Sequence, residues 1–257
     1  MMLLTCYNQL DKSEIEEENM FCFLTSLPYT EETEELNPAN GFLDDLKRCI
    51  SLPCSALYIS GYPDDGEEND ESAEVFLQDL KNAGIEIKSI SVLDSRNPGK
   101  AEELVAASGL IILDGGHVPS QNRFINSINL RQLLRNYKGV VLGVSAGSVN
   151  SGETVYAFPV RDGEAVDPDY QRRLPGLALT KINILPHYAD YKDETLDGMR
   201  FIEDIVLPDS MGRAVYALQD GSYLFTNSEH VEIRGEAYEI KDGTIRQIAS
   251  DGEVVLL

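Results

Sequence analysis

Two short apolar runs constrain the fold of this chain more than any other feature of its sequence. Residues 109–113 and 139–143 contain only glycine, valine, leucine and isoleucine. Strands that are buried on both faces have this composition, and they occur where helices cover both sides of a parallel sheet. Because strand patterns alternate with helical patterns elsewhere in the chain, we predict an α/β fold with a largely parallel sheet.

The other predicted elements follow from periodicity and from turn residues. Predicted strands cover residues 3–6, 20–24, 55–59, 85–93, 109–113, 139–143 and 182–185. Predicted helices begin at Asn40 and Ser72, the latter with Val75 facing inward, and cover residues 101–107, 122–137 and 196–206. Residues 61–70 are acidic and are predicted to form an exposed loop.

The C-terminal part of the chain has a different pattern. From about residue 213 to residue 257, short alternating runs are separated by Asp-Gly and Arg-Gly pairs, which are hairpin signals. We therefore expect antiparallel strands beside the main sheet. Because neither a linker nor an internal repeat divides the sequence, we predict one domain over residues 1–257.

The net charge and the cysteine content indicate which binding partners and metal sites to expect. The chain carries 44 acidic and 21 basic residues, a formal net charge of −23. Such a surface repels nucleic-acid phosphates and anionic lipids, so we expect neither nucleic acid nor membrane as a partner. The four cysteines lack CxxC spacing and only three histidines are present, so we predict no metal site and free thiols in a reducing cytoplasm.

A serine between two glycines follows the second apolar run. Gly143-Val144-Ser145-Ala146-Gly147 has the spacing of a nucleophile elbow, in which a strand turns so tightly into a helix that its neighbours must be small. The alternative is a tight turn with an idle serine. The buried strand before the motif favours Ser145 as a nucleophile.

A serine nucleophile needs a base. His187 directly follows the predicted strand at residues 182–185, so we expect it to meet Ser145 at the carboxyl edge of one sheet. His117 also follows a strand and is the rival base. Gly115 and Gly116 precede it, and we predict that the amides of Gly116 and Ala146 form an oxyanion hole. A plain tight turn is the alternative for the two glycines.

The carboxylate that would orient the histidine is not determined by this pattern alone. The acidic candidates are Glu153, Asp162, Glu164, Asp167, Asp190 and Asp193.

Between residues 110 and 188 the chain resembles the peptidase E family of aspartyl dipeptidases and its relatives, the cyanophycinases. The matching motifs are Asp114-Gly115-Gly116-His117, Gly143-Val144-Ser145-Ala146-Gly147 and Leu185-Pro186-His187-Tyr188, in that order. The resemblance implies a three-layer, mostly parallel sheet of glutamine-amidotransferase-like (flavodoxin-like) type with a C-terminal antiparallel extension. It also implies a triad in the order serine, acid, histidine.

The resemblance assigns the acid to the loop after the elbow, where Glu164 is the first choice and Asp162 the second. His117 departs from the family, whose members often carry Asn or Asp there. An acidic substrate side chain would call for an arginine. The unassigned candidates are Arg123, Arg161, Arg172 and Arg173.

The expected function is therefore serine-peptidase hydrolysis of short peptides, including Asp-Xaa dipeptides, without metal or cofactor. A homodimer is compatible with this expectation. One alternative is a related amidase or isopeptidase of cyanophycinase type. The other is a non-catalytic binding protein on the same fold.

Overall fold

The computed structural model describes residues 20–30, 35–227 and 230–257, so the strand predicted at residues 3–6 lies outside the described part. The strands are β1 (Phe21–Thr25), β2 (Cys54–Gly61), β3 (Ile87–Leu93), β4 (Leu110–Gly116), β5 (Val140–Val144), β6 (Thr154–Tyr156), β7 (Arg173–Pro175), β8 (Ile184–Leu185), β9 (Thr195–Leu196), β10 (Met199–Arg200), β11 (Ala214–Leu218), β12 (Tyr223–Thr226), β13 (Val231–Arg234), β14 (Ala237–Lys241), β15 (Thr244–Ala249) and β16 (Val254–Leu256). The α-helices are α1 (Phe42–Cys49), α2 (Gly66–Asn82), α3 (Ala101–Ala107), α4 (Val118–Ser127), α5 (Leu130–Leu133), α6 (Ala146–Asn150), α7 (Tyr188–Tyr191) and α8 (Leu207–Asp209). Short 3-10 turns cover Ala39–Gly41, Pro98–Lys100 and Leu134–Asn136, and a π-helix covers Phe201–Val206.

Within the described residues, the main sheet has eight strands in the order β16-β13-β12-β1-β5-β4-β2-β3. Strands β1, β5, β4, β2 and β3 pair in parallel, and β12, β13 and β16 extend the sheet by antiparallel pairing. The predicted α/β fold with a mostly parallel sheet and an antiparallel extension is confirmed. A second sheet has the order β15-β14-β11-β8.

Both faces of the parallel strands are covered. In β4, Leu110 and Ile112 join the apolar cluster under α1 and α2, whereas Ile111 and Leu113 join the cluster under α3 and α4. All four side chains are almost completely buried, and each such burial stabilises the fold by roughly 1.5–3 kcal/mol. The apolar run at residues 109–113 therefore has the role that its composition predicts.

Helix α2 begins at Gly66, not at Ser72 as predicted. The acidic segment predicted to be a loop supplies its first turn, in which Glu67 and Glu68 lie at the positive end of the helix dipole. The inward placement predicted for Val75 is also wrong, since its side chain is 61% exposed.

The predicted helix at residues 196–206 is wrong in its first half. Asp197 and Gly198 both adopt left-handed backbone conformations, with φ of 53° and 80°. This Asp-Gly pair closes the β9–β10 hairpin, as such pairs do in two-residue turns. Only Phe201–Val206 is helical, as a π-helix.

The helix predicted at residues 122–137 is interrupted. Asn129 has a φ of 55°, which ends one helical segment and starts the next.

Strand β8 lies outside the main sheet. It pairs in parallel with β11, with Leu185 opposite Ala217. The expectation that the strand before His187 shares one sheet with β5 is therefore wrong. The position of His187 relative to Ser145 consequently depends on how the two sheets meet.

None of the helices in the described part of the chain combines the length and the apolar character that a bilayer crossing needs.

Candidate active site

The serine at the end of β5 lies in a strained, well-anchored turn. Ser145 has a φ of 46° and a ψ of −107°, a combination that side-chain-bearing residues adopt rarely. Its amide donates to the carbonyl oxygens of Thr25 (3.1 Å) and Ser26 (3.0 Å), and its own carbonyl accepts from the Val149 amide (3.0 Å). The turn thus joins β5 to α6 and holds the Ser145 side chain at the sheet edge.

The two glycines of the elbow are required by close packing. A Cβ on Gly147 would lie 2.0 Å from the Leu113 carbonyl oxygen, and one on Gly143 would lie 2.9 Å from the Ser148 amide nitrogen. Both neighbours are backbone atoms, which cannot move aside easily. The glycine-x-serine-x-glycine pattern therefore has a local steric cause.

We expect Gly147→Ala to destabilise the protein by about 1–3 kcal/mol or more, because the added methyl group would overlap the backbone of β4. Urea unfolding would measure the shift. Gly99→Ala is the matched control, since a Cβ at Gly99 would meet nothing within 4 Å. Equal unfolding midpoints for the two variants would contradict the steric account.

The structure brings His187 to the serine. Its Nε2 lies 2.9 Å from the Ser145 Oγ. The backbone of His187 is left-handed, with a φ of 55° at the entry to α7, and its amide donates to the Ser26 Oγ (2.7 Å). The pairing that the strand ends suggested is therefore present, although the two strands belong to different sheets.

The carboxylate on the far side of His187 belongs to Asp220. Its Oδ1 and Oδ2 lie 2.9 and 3.2 Å from the His187 Nδ1, and its Oδ1 also accepts from the Ser26 Oγ (2.6 Å). Burial by itself raises the pKa of Asp220, but hydrogen bonds from His187 and Ser26 outweigh it and leave the pKa below its usual value. Asp220 is therefore ionised at neutral pH and can hold Nδ1 protonated.

Glu164 does not contact His187, which contradicts its prediction as the triad acid. Its Oε1 lies 2.8 Å from the His117 Nε2, and its Oε2 accepts from the amides of Val160 (2.9 Å) and Arg161 (3.1 Å). The physical reason is the path of the loop. The Ala157 amide donates to the carbonyl oxygen of residue 172 (3.0 Å), which folds the intervening residues back toward the Gly-Gly turn.

Asp162, the second choice, is exposed. No hydrogen bond links it to His187, whose Nδ1 is bonded to Asp220.

His117, the rival base, is engaged on both ring nitrogens. Its Nδ1 lies 2.8 Å from the Ser120 Oγ and its Nε2 contacts Glu164. Burial lowers its pKa despite the neighbouring carboxylate. His117 is buried, with 7% of its surface exposed. It links the Gly-Gly turn to the loop that carries Glu164, and its ring has no nitrogen left for Ser145.

Sequence reasoning missed Asp220 because Asp220-Gly221 looks like a hairpin turn. In the structure this pair instead connects β11 of the second sheet to β12 of the main sheet. The signal for Asp220 lies in a strand pairing that the sequence does not show. Asp220 follows β11, and β11 pairs in parallel with β8, the strand that ends just before His187. A carboxylate at the end of a strand next to the histidine strand is well placed to reach the imidazole.

Two residues of the predicted oxyanion site, Ala146 and Gly115, lie beside the serine. Ala146 opens α6, so its amide belongs to the first helical turn, where amides lack intrahelical partners. A Cβ on Gly115 would lie 3.7 Å from the Ser145 Cβ, which places this backbone beside the nucleophile. Gly116 has a φ of 140°, and a Cβ there would meet Gly61 at 3.1 Å, so the turn packs tightly on β2.

Two of the candidate arginines have structural partners. Arg172 Nη1 lies 3.3 Å from the Asp209 carboxylate. Arg173 stacks 4.1 Å from the centroid of the Tyr156 ring and donates to the backbone carbonyl of Asp209 (2.8 Å). Arg123 and Arg161 are exposed. None of the four contacts the serine or the histidine through a hydrogen bond.

Among the described residues, His187, Asp190 and Asp220 form the group of side chains close enough together to hold a metal ion. Two of these side chains already belong to the hydrogen-bonded chain that leads to Ser145. The hydrogen bonds among Ser145, His187 and Asp220 therefore account for the positions of these two side chains, and we assign no metal to the group.

A strand-to-helix serine, bonded to a histidine that is bonded to a carboxylate, defines the geometry of a serine hydrolase. The sequence profile of peptidase family S51 matches residues 63–234, more than half of the chain. The chain belongs to peptidase family S51 and is a serine-type peptidase of the peptidase E type, which confirms the predicted resemblance.

Two solved structures have the same fold. One is a peptidase from an acI-B1 Actinobacterium, with a TM-score of 0.65 and 16% sequence identity, and the match covers 93% of this chain and 96% of that one. The other is a candidate peptidase E from Listeria monocytogenes EGD-e, with a TM-score of 0.51 and 11% identity, covering 90% of this chain and 99% of that one. A search of curated proteins found no match.

Proposed function

We propose that this chain hydrolyses short peptides through a triad of Ser145, His187 and Asp220. The observation that carries the proposal is the continuous chain of contacts from the Ser145 Oγ through both ring nitrogens of His187 to Asp220, with 2.9 Å at each of its two steps. These distances are within the range for a nucleophile, a base and an orienting acid.

The roles follow from the donors and acceptors. His187 Nδ1–H donates to the ionised Asp220, which leaves Nε2 unprotonated and able to take the hydroxyl proton of Ser145 as its Oγ attacks the substrate carbonyl. The imidazolium then gives that proton to the leaving amine as the C–N bond breaks. A water molecule, deprotonated by the same Nε2, hydrolyses the acyl-enzyme and frees Ser145.

The negative charge on the substrate oxygen needs hydrogen-bond donors that are fixed in advance. We assign this role to the amides of Ala146 and Gly116, with Gly115 shaping the floor beside the serine. The position of Ala146 directly after the nucleophile supports this assignment, and so does that of Gly115, which precedes Gly116 and lies beside Ser145. The side chains of these residues contribute nothing to it, because the donors are backbone groups.

For the substrate, we propose short peptides that include Asp-Xaa dipeptides, in line with family membership. Arg123 and Arg161 are the candidate readers of an acidic side chain, because Arg172 and Arg173 have partners within the fold.

A dipeptide library tests the substrate class. Peptides with an aspartyl, a neutral or a basic N-terminal residue would be compared by kcat/KM, with Arg123→Ala and Arg161→Ala measured alongside the wild type. We expect Asp-Xaa to be hydrolysed fastest and one of the two variants to remove that preference. A flat response across N-terminal residues would refute aspartyl specificity. Hydrolysis of side-chain-linked amides but of no dipeptide would favour the isopeptidase alternative.

A further inference from the structure

One buried residue contacts all three members of the proposed triad. Ser26, which follows β1, has no exposed surface. Its carbonyl oxygen accepts from the Ser145 amide (3.0 Å), its Oγ accepts from the His187 amide (2.7 Å), and its Oγ lies 2.6 Å from the Asp220 Oδ1.

The direction of the hydroxyl proton follows from the partners. A serine hydroxyl has one proton to donate. The His187 amide can only donate, so the Ser26 proton goes to an oxygen, either Asp220 Oδ1 at 2.6 Å or the Leu218 carbonyl at 3.3 Å. The shorter bond to an ionised carboxylate is the stronger of the two. Asp220 thus accepts from both Ser26 and His187.

Ser26 also links the main sheet to residues that follow strands of the second sheet. It follows β1, which pairs with β5 in the main sheet, whereas His187 follows β8 and Asp220 follows β11 in the second sheet. The Ser26 amide donates to the Ser222 carbonyl (3.1 Å), which fixes its own backbone. Ser145 therefore follows a strand of the main sheet, whereas His187 and Asp220 follow strands of the second sheet. Ser26 is hydrogen-bonded to all three residues.

We propose that Ser26 is a positioning residue that sets the His187 imidazole and the Asp220 carboxylate in register with Ser145. The inference rests on the proposed triad. The backbone and the side chain of Ser26 make separate contacts. The carbonyl contact to Ser145 survives any substitution, whereas the two hydroxyl contacts are lost in Ser26→Ala. Such a loss unpairs the His187 amide and removes one donor from Asp220 while leaving the nucleophile turn intact.

Three variants test the proposal. Ser26→Ala should lower kcat by about 10- to 100-fold, the range expected from losing hydrogen bonds to a charged group, with KM changed by less than about 2-fold. Ser26→Thr keeps the hydroxyl and should recover most of the lost kcat. Ser210→Ala is the matched control, because the Ser210 hydroxyl is equally buried, donates to the Leu207 carbonyl (2.7 Å) and accepts from the Gly243 amide (3.0 Å) away from the triad.

The rate at which a serine-directed phosphonate labels Ser145 provides a second readout, and it should fall in Ser26→Ala and recover in Ser26→Thr. Wild-type kcat and labelling in Ser26→Ala would overturn the inference, and so would an equal loss of kcat in Ser210→Ala, which would indicate a general packing effect. Failure of the proposed function looks different, because wild-type protein would then not be labelled at Ser145, and the inference would fall with it.

Discussion

Ser145→Ala is expected to remove peptide hydrolysis, with kcat lowered by about 10⁶-fold, the scale at which loss of the nucleophile disables a serine peptidase. Alanine keeps the Cβ in the strained turn and removes only the Oγ that lies 2.9 Å from the His187 Nε2. We therefore expect the fold to be retained. Steady-state hydrolysis of the best library dipeptide, together with thermal unfolding, measures both effects.

The matched control for this prediction is Ser151→Ala. Ser151 is another buried serine near the same turn, and its hydroxyl donates to the Gly147 carbonyl (2.8 Å) rather than to the histidine. We expect its kcat to stay within about 3-fold of the wild type, since it loses one neutral hydrogen bond. Comparable hydrolysis by Ser145→Ala and the wild type would refute Ser145 as the nucleophile.

Asp220→Asn should lower kcat by about 10⁴-fold, as expected when an amide replaces the carboxylate of a triad and leaves the histidine in the wrong tautomer. Glu164→Gln is the matched control. It makes the same chemical change in a carboxylate that also contacts a histidine, but that histidine is His117. We expect kcat in Glu164→Gln within about 10-fold of the wild type. The reverse ranking of the two variants would restore Glu164 as the triad acid.

The same two carboxylates affect acid stability. In the folded protein the pKa values of Asp220 and Glu164 both lie below their usual values, because hydrogen bonds outweigh burial in each case. A carboxyl group whose pKa is lower in the folded than in the unfolded protein stabilises the fold in its ionised form. This contribution to the free energy of unfolding is complete above the unfolded-state pKa and is lost as the pH falls through the folded-state pKa. Stability measured from neutral pH down through the carboxyl range should therefore fall less steeply in Asp220→Asn and in Glu164→Gln than in the wild type.

The central strands and two site residues could be predicted because their signals are local. A run of apolar residues indicates a strand with both faces covered, and this holds for β4 and β5. Ser145 follows the second run and His187 follows the predicted strand at residues 182–185, so strand ends suggested their pairing, although the two strands lie in different sheets. Glycines at 143 and 147 mark the turn because any larger residue would meet backbone.

Asp220 could not be predicted in this way because its role depends on contacts that are distant in sequence. Strand β8 pairs with β11 rather than with the main sheet. A strand of two residues is too short for a pattern of alternating side chains that would indicate its partner. The loop acid was misassigned for the same reason. Glu164 lies near Ser145 in sequence, but the loop folds toward His117. Ser26 was missed because a lone serine after a strand carries no signal until its neighbours are known.

Labelling with a serine-directed phosphonate, located by tandem mass spectrometry, tests the central claim most directly. The proposed triad predicts one adduct per chain on the peptide that contains Ser145, formed quickly in the wild type and in Glu164→Gln and much more slowly in Asp220→Asn. Folded wild-type protein that remains unlabelled at Ser145, or Asp220→Asn that is labelled at the wild-type rate, would contradict it.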